Sequence, residues 1–342
     1  MSDKIIVDLD NTITINDEND YSNKTANNSL IRAIRSAKKL NKITIFSSRN
    51  MRTFNGDLKK INQITKPIAI KWLKNNNVDF DDIIFGKPWA GDNGWYVDDR
   101  NLSLEEFIFK FDGPFADSNF DIVIPCFNEE KNIKKVFYDI IKLERLLNVD
   151  NFIFVDNGSS DNTNQEISRL KKINKKLKLI TVKDNKGYGF GIKQGLLESS
   201  SDYVLLNHAD LQFDAYSFLY SNLEKIKKVD SIIPIRLNRP VLDRLFSFLL
   251  RLFMGILNLS LISDFNGQPK IFKLSKIKSF DQMPDDFCFD YYIYKYFENN
   301  LQKLPVIQLE RNEGNSSWKG SIFRTFRIFL RYIYFSITLK RN

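Results

Sequence analysis

Two apolar runs that break abruptly into acids constrain this chain more than any other feature. One is Ile5-Ile6-Val7-Asp8-Leu9-Asp10-Asn11-Thr12. The other is Asp121-Ile122-Val123-Ile124-Pro125-Cys126-Phe127-Asn128-Glu129-Glu130. A short continuous apolar run fits a strand covered on both faces in a parallel sheet. The polar residues that follow it then lie at the sheet's carboxyl edge, where open α/β sheets bind ligands. Two such openings, each with its own downstream motifs, predict two sheets and two active sites. The 342 residues accommodate this, since domains run to about 100–200 residues each.

The pattern between the openings supports that division. Residues 4–110 read as strand, helix, strand, helix, strand, strand, with Ile43-Thr44-Ile45-Phe46 and Trp95-Tyr96-Val97 as the later apolar strands. Phe111 to Asn119 is short and polar and contains Gly113 and Pro114, the composition of a linker. A second alternation follows, with strands near 121–125, 151–155, 178–182 and 202–207 and amphipathic helices between them. The predicted fold class is α/β with two domains: residues 1–112, a linker at 113–119, a second domain at 120–320, and a basic amphipathic helix at 321–342.

In the first domain Asp8 and Asp10 end the first strand, Ser47 ends the second, Lys87 follows in FGKPW, and Asp98-Asp99 end the last. Acids, a hydroxyl and a lysine at successive strand ends suit phosphoryl transfer: a carboxylate attacks phosphorus, another moves the proton, others hold Mg²⁺, and Ser and Lys bind the oxygens. An Asp pair at a loop start also caps helices. The four motifs in this order resemble the haloacid dehalogenase (HAD) phosphatase superfamily, particularly its small capsule-biosynthesis branch. The resemblance implies Asp8 as nucleophile, Asp10 as acid/base, Ser47 and Lys87 as phosphoryl-binding groups, and Asp8, Asp10, Asp98 and Asp99 around Mg²⁺. It also implies a small phosphorylated, sugar-like substrate.

The second domain offers VIPCFNEE, then VDNGSSDNT from Val155, then KGYGFGIKQG from Lys186, then HADLQFD from His208. A strand-end Asp accepts hydrogen bonds from a ribose or base. Glycines at 187, 189 and 191 leave backbone open to an anion, though glycines alone are weak evidence. A carboxylate after an apolar strand suits Mg²⁺ or Mn²⁺ on a diphosphate. Together these segments resemble family-2 glycosyltransferases of the GT-A fold, closest to the polyprenyl-phosphate (dolichyl-phosphate mannose synthase-like) branch. The resemblance implies that Pro125, Asn128, Glu129, Asp156 and Lys186 bind a nucleotide-diphosphate sugar. It implies that Asp210 and Gln212 hold metal and diphosphate. It places Gln268, Lys270, Asp290, Arg311 and Ser316 on the acceptor side. His208, the sole histidine, stands where the family carries an acid, open to metal ligation or to packing. Asp264 and, second to it, Asp286 are the expected candidates for the transferase base, against helix capping or surface charge.

Net charge is +9, carried mainly by the second part: residues 1–112 hold 17 basic and 16 acidic residues, the remainder 34 and 26. A basic face favours phosphate-rich partners. In LDRLFSFLLRLFMGILNLSLI (242–262), Arg244 and Arg251 share one helical face, and Arg324, Arg327 and Arg331 repeat at helical spacing further on. Aliphatic and aromatic residues between arginines suit a lipid interface rather than nucleic acid; core packing or an oligomer contact remains the other reading. No run is apolar enough to span a membrane. Two cysteines, Cys126 and Cys288, form no disulfide framework, and the N-terminus has no signal-peptide pattern. The expectation is therefore a cytoplasmic, membrane-peripheral, bifunctional enzyme of surface polysaccharide or glycolipid synthesis. It would take an anionic surface and a lipid-phosphate acceptor as partners. The alternative is a glycosyltransferase with a non-catalytic HAD domain as scaffold or regulator.

Overall fold

The computed structural model describes residues 4–15, 21–91, 96, 98, 100–310 and 322–339, with the side chains of 242 and 322–326 excepted. The chain divides into two compact units, Met1–Asp117 and Ser118–Asn342.

In the first unit, β1 (Lys4–Asp8), β2 (Lys42–Ser47) and β3 (Asp82–Phe85) form a parallel sheet in the order β1-β2-β3. The helix Asn28–Lys38 crosses between β1 and β2. The Asn27 side chain starts it by accepting from the Leu30 amide at 3.1 Å, which satisfies one of the amides a helix start leaves open. It buries Leu30, Ile31, Ile34 and Ala37, the stripe that a 3.6-residue period places on one side. With Ile43, Ile45 and Leu73 these make the unit's core. Ser103 and Glu106 close a reciprocal cap on the helix Leu104–Asp112. The strand expected at 95–97 is not seen among the described residues: Tyr96 lies outside any strand, and Trp95 and Val97 are outside the described set.

Among the described residues the second unit holds seven strands: β4 (Asn119–Cys126), β5 (Asn148–Asn157), β6 (Leu177–Val182), β7 (Tyr203–Leu206), β8 (Ser231–Leu237), β9 (Lys270–Lys273) and β10 (Leu301–Ile307). Their order is β10-β8-β9-β7-β4-β5-β6. All pairings are parallel except those of β9, which runs antiparallel to β7 and β8. Ile122–Ile124, Phe152–Val155 and Val204–Leu206 are fully covered, which is why these strands read as unbroken apolar runs. The four strands expected here are present near the expected positions. β8, β9 and β10 were not anticipated. Pro234 and Pro305 interrupt two of them, and β9 has four residues, so none carries a clear strand pattern.

The helix Val241–Asn258 packs beside the helix Ile322–Leu339. Phe329 meets Phe246 and Phe253 edge-on at 6.2 and 5.8 Å, and Asn258 Nδ2 donates to Ser336 Oγ at 2.7 Å. Ile328 and Tyr332 enter the unit's core.

Candidate active sites

Register sets the first site. Asp8 lies opposite Phe46, and Ser47 opposite Phe85, so the carboxyl ends of the three strands stand side by side. Past Asp8 the chain turns sharply through Asn11, whose φ of 56° lies in the left-handed region that Asn tolerates. Lys87 Nζ donates to Asp8 Oδ1 at 2.8 Å, and Thr12 Oγ1 donates to Asp8 Oδ2 at 3.3 Å. Arg49 Nε donates to both Asp10 oxygens at 2.9 Å, Ser47 Oγ reaches Asp10 Oδ2 at 3.5 Å, and Lys24 Nζ lies 4.0 Å from Asp10. Asp8, Asp10, Ser47 and Lys87 are thus gathered as the sequence predicts. Asp98 is exposed and accepts from the Arg100 amide at 2.8 Å; Asp99 lies outside the described residues.

Sequence reasoning missed Arg49. Its side chain is 1% exposed, its two terminal nitrogens have no hydrogen-bond partner, and the Tyr21 ring lies 4.6 Å from its guanidinium. Burial, then the charge of Asp10, raises the Tyr21 pKa and keeps the phenol protonated. The signal was in FSSRN, a cation two residues past a strand-end hydroxyl. Among the described residues Arg49, Lys24 and Lys87 stand around these two carboxylates, cations that suit an oxyanion.

In the second unit, the loops after β4 and β5 interlock. The Asn128 amide donates to Ser159 Oγ at 3.0 Å, and the Ser160 amide returns a bond to Asn128 Oδ1 at 2.8 Å. The Glu129 amide donates to Thr163 Oγ1 at 2.8 Å, and Glu130 Oε2 accepts from both nitrogens of Asn162 at 2.9 Å. Asp156, 3% exposed, accepts from the Ser159 amide at 3.0 Å and from Asn164 Nδ2 at 2.9 Å. These contacts fix the strand-end platform. Beyond the adjacent β7, Asp210 is half-buried and accepts from the Gln212 amide at 3.1 Å. A half-buried carboxylate past the end of β7, the neighbour of β4 in the sheet, suits a diphosphate and its cation.

The comparisons with known proteins agree with this geometry. The sequence profile Glycosyl transferase family 2 matches residues 121–286. The chain carries a family 2 glycosyltransferase domain. A dolichyl-phosphate beta-glucosyltransferase of Dictyostelium discoideum is 25% identical over 154 residues, 42% of this chain and 47% of that protein, so the chain spans less than half of this relative's length. Glucosyl-3-phosphoglycerate synthase of Mycobacterium tuberculosis, solved with Mn²⁺, UDP and glucosyl-3-phosphoglycerate, superposes with a TM-score of 0.51 at 14% identity. That likeness covers 71% of this chain and 85% of that one, and it shows the GT-A-like fold. A solved target protein from Vibrio cholerae is 42% identical, covering 31% of this chain and 87% of its own, with a TM-score of 0.31.

Within the glycosyltransferase domain several expected roles are corrected by what the side chains touch. Asp264 does not stand free as a base. Arg236 grips it with Nε to Oδ2 and Nη2 to Oδ1, both at 2.8 Å. Burial alone would raise its pKa, but Arg236 outweighs that and holds it down to about 2. Asp286 is held by Arg331 Nε at 2.6 Å and by the Cys288 amide at 2.9 Å. That pairing also removes Arg331 from the arginines expected to meet lipid phosphate. Lys270 is fully buried and ion-paired with Asp290 at 2.8 Å, so neither faces an acceptor as a free charge. Burial lowers the Lys270 pKa against the pull of Asp290. Arg311 and Ser316 lie outside the described residues.

The glycine segment is corrected as well. A Cβ on Gly189 would lie 2.1 Å from the Pro284 carbonyl, and one on Gly187 would lie 2.4 Å from that of Asp285. The Phe190 amide already donates to the Asp285 carbonyl at 3.0 Å. The glycines therefore admit the 284–286 backbone, and the helix Tyr188–Glu198 does not open its N-terminus to a phosphate. Lys186 is exposed, its Nζ 5.1 Å from the Phe190 ring. His208 turns its Nε2 to the Tyr188 hydroxyl at 2.8 Å, so ligating a metal through that nitrogen would cost this bond. Among the described residues no group of three His, Cys, Asp or Glu side chains could hold a metal.

Proposed function

We propose that residues 118–342 transfer a sugar, with inversion, from a nucleotide-diphosphate sugar to a lipid-phosphate or glycan acceptor in surface glycolipid or polysaccharide synthesis. The observation that carries this reading is Asp210 at the end of β7, beside the interlocked 128–130 and 156–163 loops, inside the matched family region. Pro125, Asn128, Glu129 and Asp156 form the wall for the nucleotide. A divalent cation fits Asp210 with the remaining positions filled by diphosphate oxygens and water, as hard cations favour; when bound it would neutralise the leaving diphosphate. With Asp264 and Asp286 both paired, an acceptor that is already an anion, needing little base catalysis, fits best. The similarity to a dolichyl-phosphate glucosyltransferase supports the lipid-phosphate class. The test is a nucleotide-sugar panel with product mass analysis, with and without a polyprenyl phosphate; no transfer from any donor sinks the reading.

The helix Val241–Asn258 supports a place at the membrane surface. Leu245, Phe248, Leu249, Leu252, Phe253 and Ile256 are each about half exposed or more. No helix among the described residues is long and apolar enough to cross a membrane, and a half-exposed apolar stripe beside Arg244 and Arg251 suits the headgroup boundary.

The first unit carries a second proposal: a phosphomonoesterase acting on a small phosphorylated, sugar-like substrate. Asp8 is the nucleophile, Asp10 the proton donor to the leaving group, and Lys87, Ser47 and Arg49 hold phosphoryl oxygens. The support is the convergence of all five on adjacent strand ends. Asp8 and Asp10 are hard oxygen donors of the kind Mg²⁺ takes with substrate phosphate; when bound the ion would offset the charge of the phosphoryl group. The counter-reading, a domain that only scaffolds the transferase, predicts no phosphate release from an aryl phosphate with Mg²⁺.

A further inference from the structure

Between the donor and acceptor sides of the glycosyltransferase domain lies a polar knot that the proposed chemistry does not use. At its centre is the Tyr188 hydroxyl, contributed by the first residue of the helix Tyr188–Glu198. Three groups meet there. His208 Nε2, two residues from Asp210, lies 2.8 Å away. Gln268 Nε2 donates to the hydroxyl at 3.2 Å, and the hydroxyl reaches Asp290 Oδ1 at 3.3 Å. Asp290 in turn holds the fully buried Lys270, whose Nζ also donates to the Gly267 carbonyl at 2.8 Å. A phenol has one proton and two lone pairs, so a chain in which His208 and Gln268 donate to the oxygen and the hydroxyl donates to Asp290 satisfies the hydroxyl, while the buried Gln268 Oε1 has no hydrogen-bond partner. Burial, then the charge of Asp290, drives the Tyr188 pKa well above its ordinary value, which keeps that proton in place.

Two of the elements tied together are already neighbours in the sheet, β7 and β9 pairing antiparallel with Leu206 opposite Lys270, and the hydroxyl joins the residues just beyond that pairing to a helix. His208 follows β7, which carries the donor-side acid. Gln268 and Lys270 lead into β9, and Asp290 lies on the helix Phe289–Tyr296. His208, which stands where the family carries an acid, and Gln268, expected on the acceptor side, are both arms of this one knot. A histidine that would be an anomalous metal ligand becomes a bridge, and the glutamine is the residue type that can reach across to it.

We infer that Tyr188 is a positioning residue for sugar transfer, its hydroxyl fixing the His208–Gln212 loop against the 264–270 segment so that donor diphosphate and acceptor are held in register. This rests on the glycosyltransferase reading above. Misplacing reacting groups by about 1 Å costs on the order of 100-fold in rate, so loss of the tie falls on turnover rather than on donor binding.

The test uses the full chain with Tyr188→Phe, which keeps the ring, together with His208→Gln and the double variant. At saturating donor, Tyr188→Phe is expected to lower kcat about tenfold or more with donor KM changed less than about threefold and the metal requirement unchanged. The double variant should fall no further than the worse single one, because both remove one bond. Gln268→Met, which removes another arm, should lower kcat in the same way. His208 is the sole histidine, so its ring nitrogen NMR signals report the tie without any turnover, and they should move in Tyr188→Phe. Wild-type kcat in Tyr188→Phe, independent losses in the double variant, an unmoved His208 signal, or a metal requirement raised by His208→Gln alone would overturn the inference while leaving the transferase reading intact. Absence of transfer by the wild-type chain would overturn the transferase reading and the positioning role with it, whatever the NMR signal does.

Discussion

The two units both place acids at the ends of parallel strands, but they hold them differently. In the first, Asp8 and Asp10 are partly open, each 26–28% exposed at the side chain, and face cations that an incoming oxyanion can share. In the second, Asp156, Asp264 and Asp290 are nearly closed off and committed to internal partners, while Asp210 stays half-open. An acid read from sequence at a strand end is thus left partly open in one unit and is mostly a fastener in the other. What separates them is burial, 26–28% exposure against 3–6%, which depends on segments that pack from far along the chain.

That contrast can be broken by substitution. The largest effect is expected at the open acids: Asp8→Asn should remove phosphate release from an aryl phosphate with Mg²⁺ by about 1,000-fold or more, read by inorganic phosphate assay, since no second nucleophile takes its place. Asp210→Ala should lower transfer from a nucleotide sugar by about 100-fold or more, with the melting temperature little changed. The fasteners should behave the other way. Asp264→Ala strands Arg236 and should cost about 3–5 kcal/mol in urea denaturation. Its pH signature has a definite sign. The folded pKa of about 2 lies below the ordinary 3.8, so the pair's contribution, on the order of 2 kcal/mol, is complete above pH 4 and fades as pH falls toward 2. Denaturation midpoints of wild type should drop across that window and those of Asp264→Asn should drop less.

Smaller still is the packing effect of Gly195→Ala. Its Cβ would lie 2.5 Å from Val123 Cγ1 and 3.2 Å from Val155 Cγ2, a cost of about 1–3 kcal/mol that leaves the donor KM unchanged. The exposed stripe is tested separately. Leu249→Glu with Leu252→Glu should abolish flotation with anionic vesicles while leaving transfer to a soluble acceptor near wild type. Flotation equal to wild type would reassign that face.

Much of the fold was legible because β4, β5 and β7 are covered on both faces and so read as uninterrupted apolar runs. β8 and β10 were not, since Pro234 and Pro305 break their patterns and β8 ends exposed. The site residues split along the same line. Asp8, Asp10, Ser47 and Lys87 come together because strand register alone aligns them. Arg49 was missed because FSSRN shows a cation just past a strand end but not that its guanidinium is buried against Asp10. Asp264 was misread because its partner, Arg236, sits 28 residues earlier on another strand. The glycines of 187–191 were misread for a related reason: the backbone they accommodate comes from residues 284–286, and sequence spacing carries no trace of that approach.

The central claim is that one chain carries two independent catalytic centres, and a crossed assay tests it most directly. Wild type, Asp8→Asn and Asp210→Ala are each measured for phosphate release and for sugar transfer under the same conditions. The account predicts that Asp8→Asn loses phosphate release alone and Asp210→Ala loses transfer alone. Wild type without phosphate release, or Asp8→Asn releasing phosphate as wild type does, would leave the first unit a scaffold and contradict the claim.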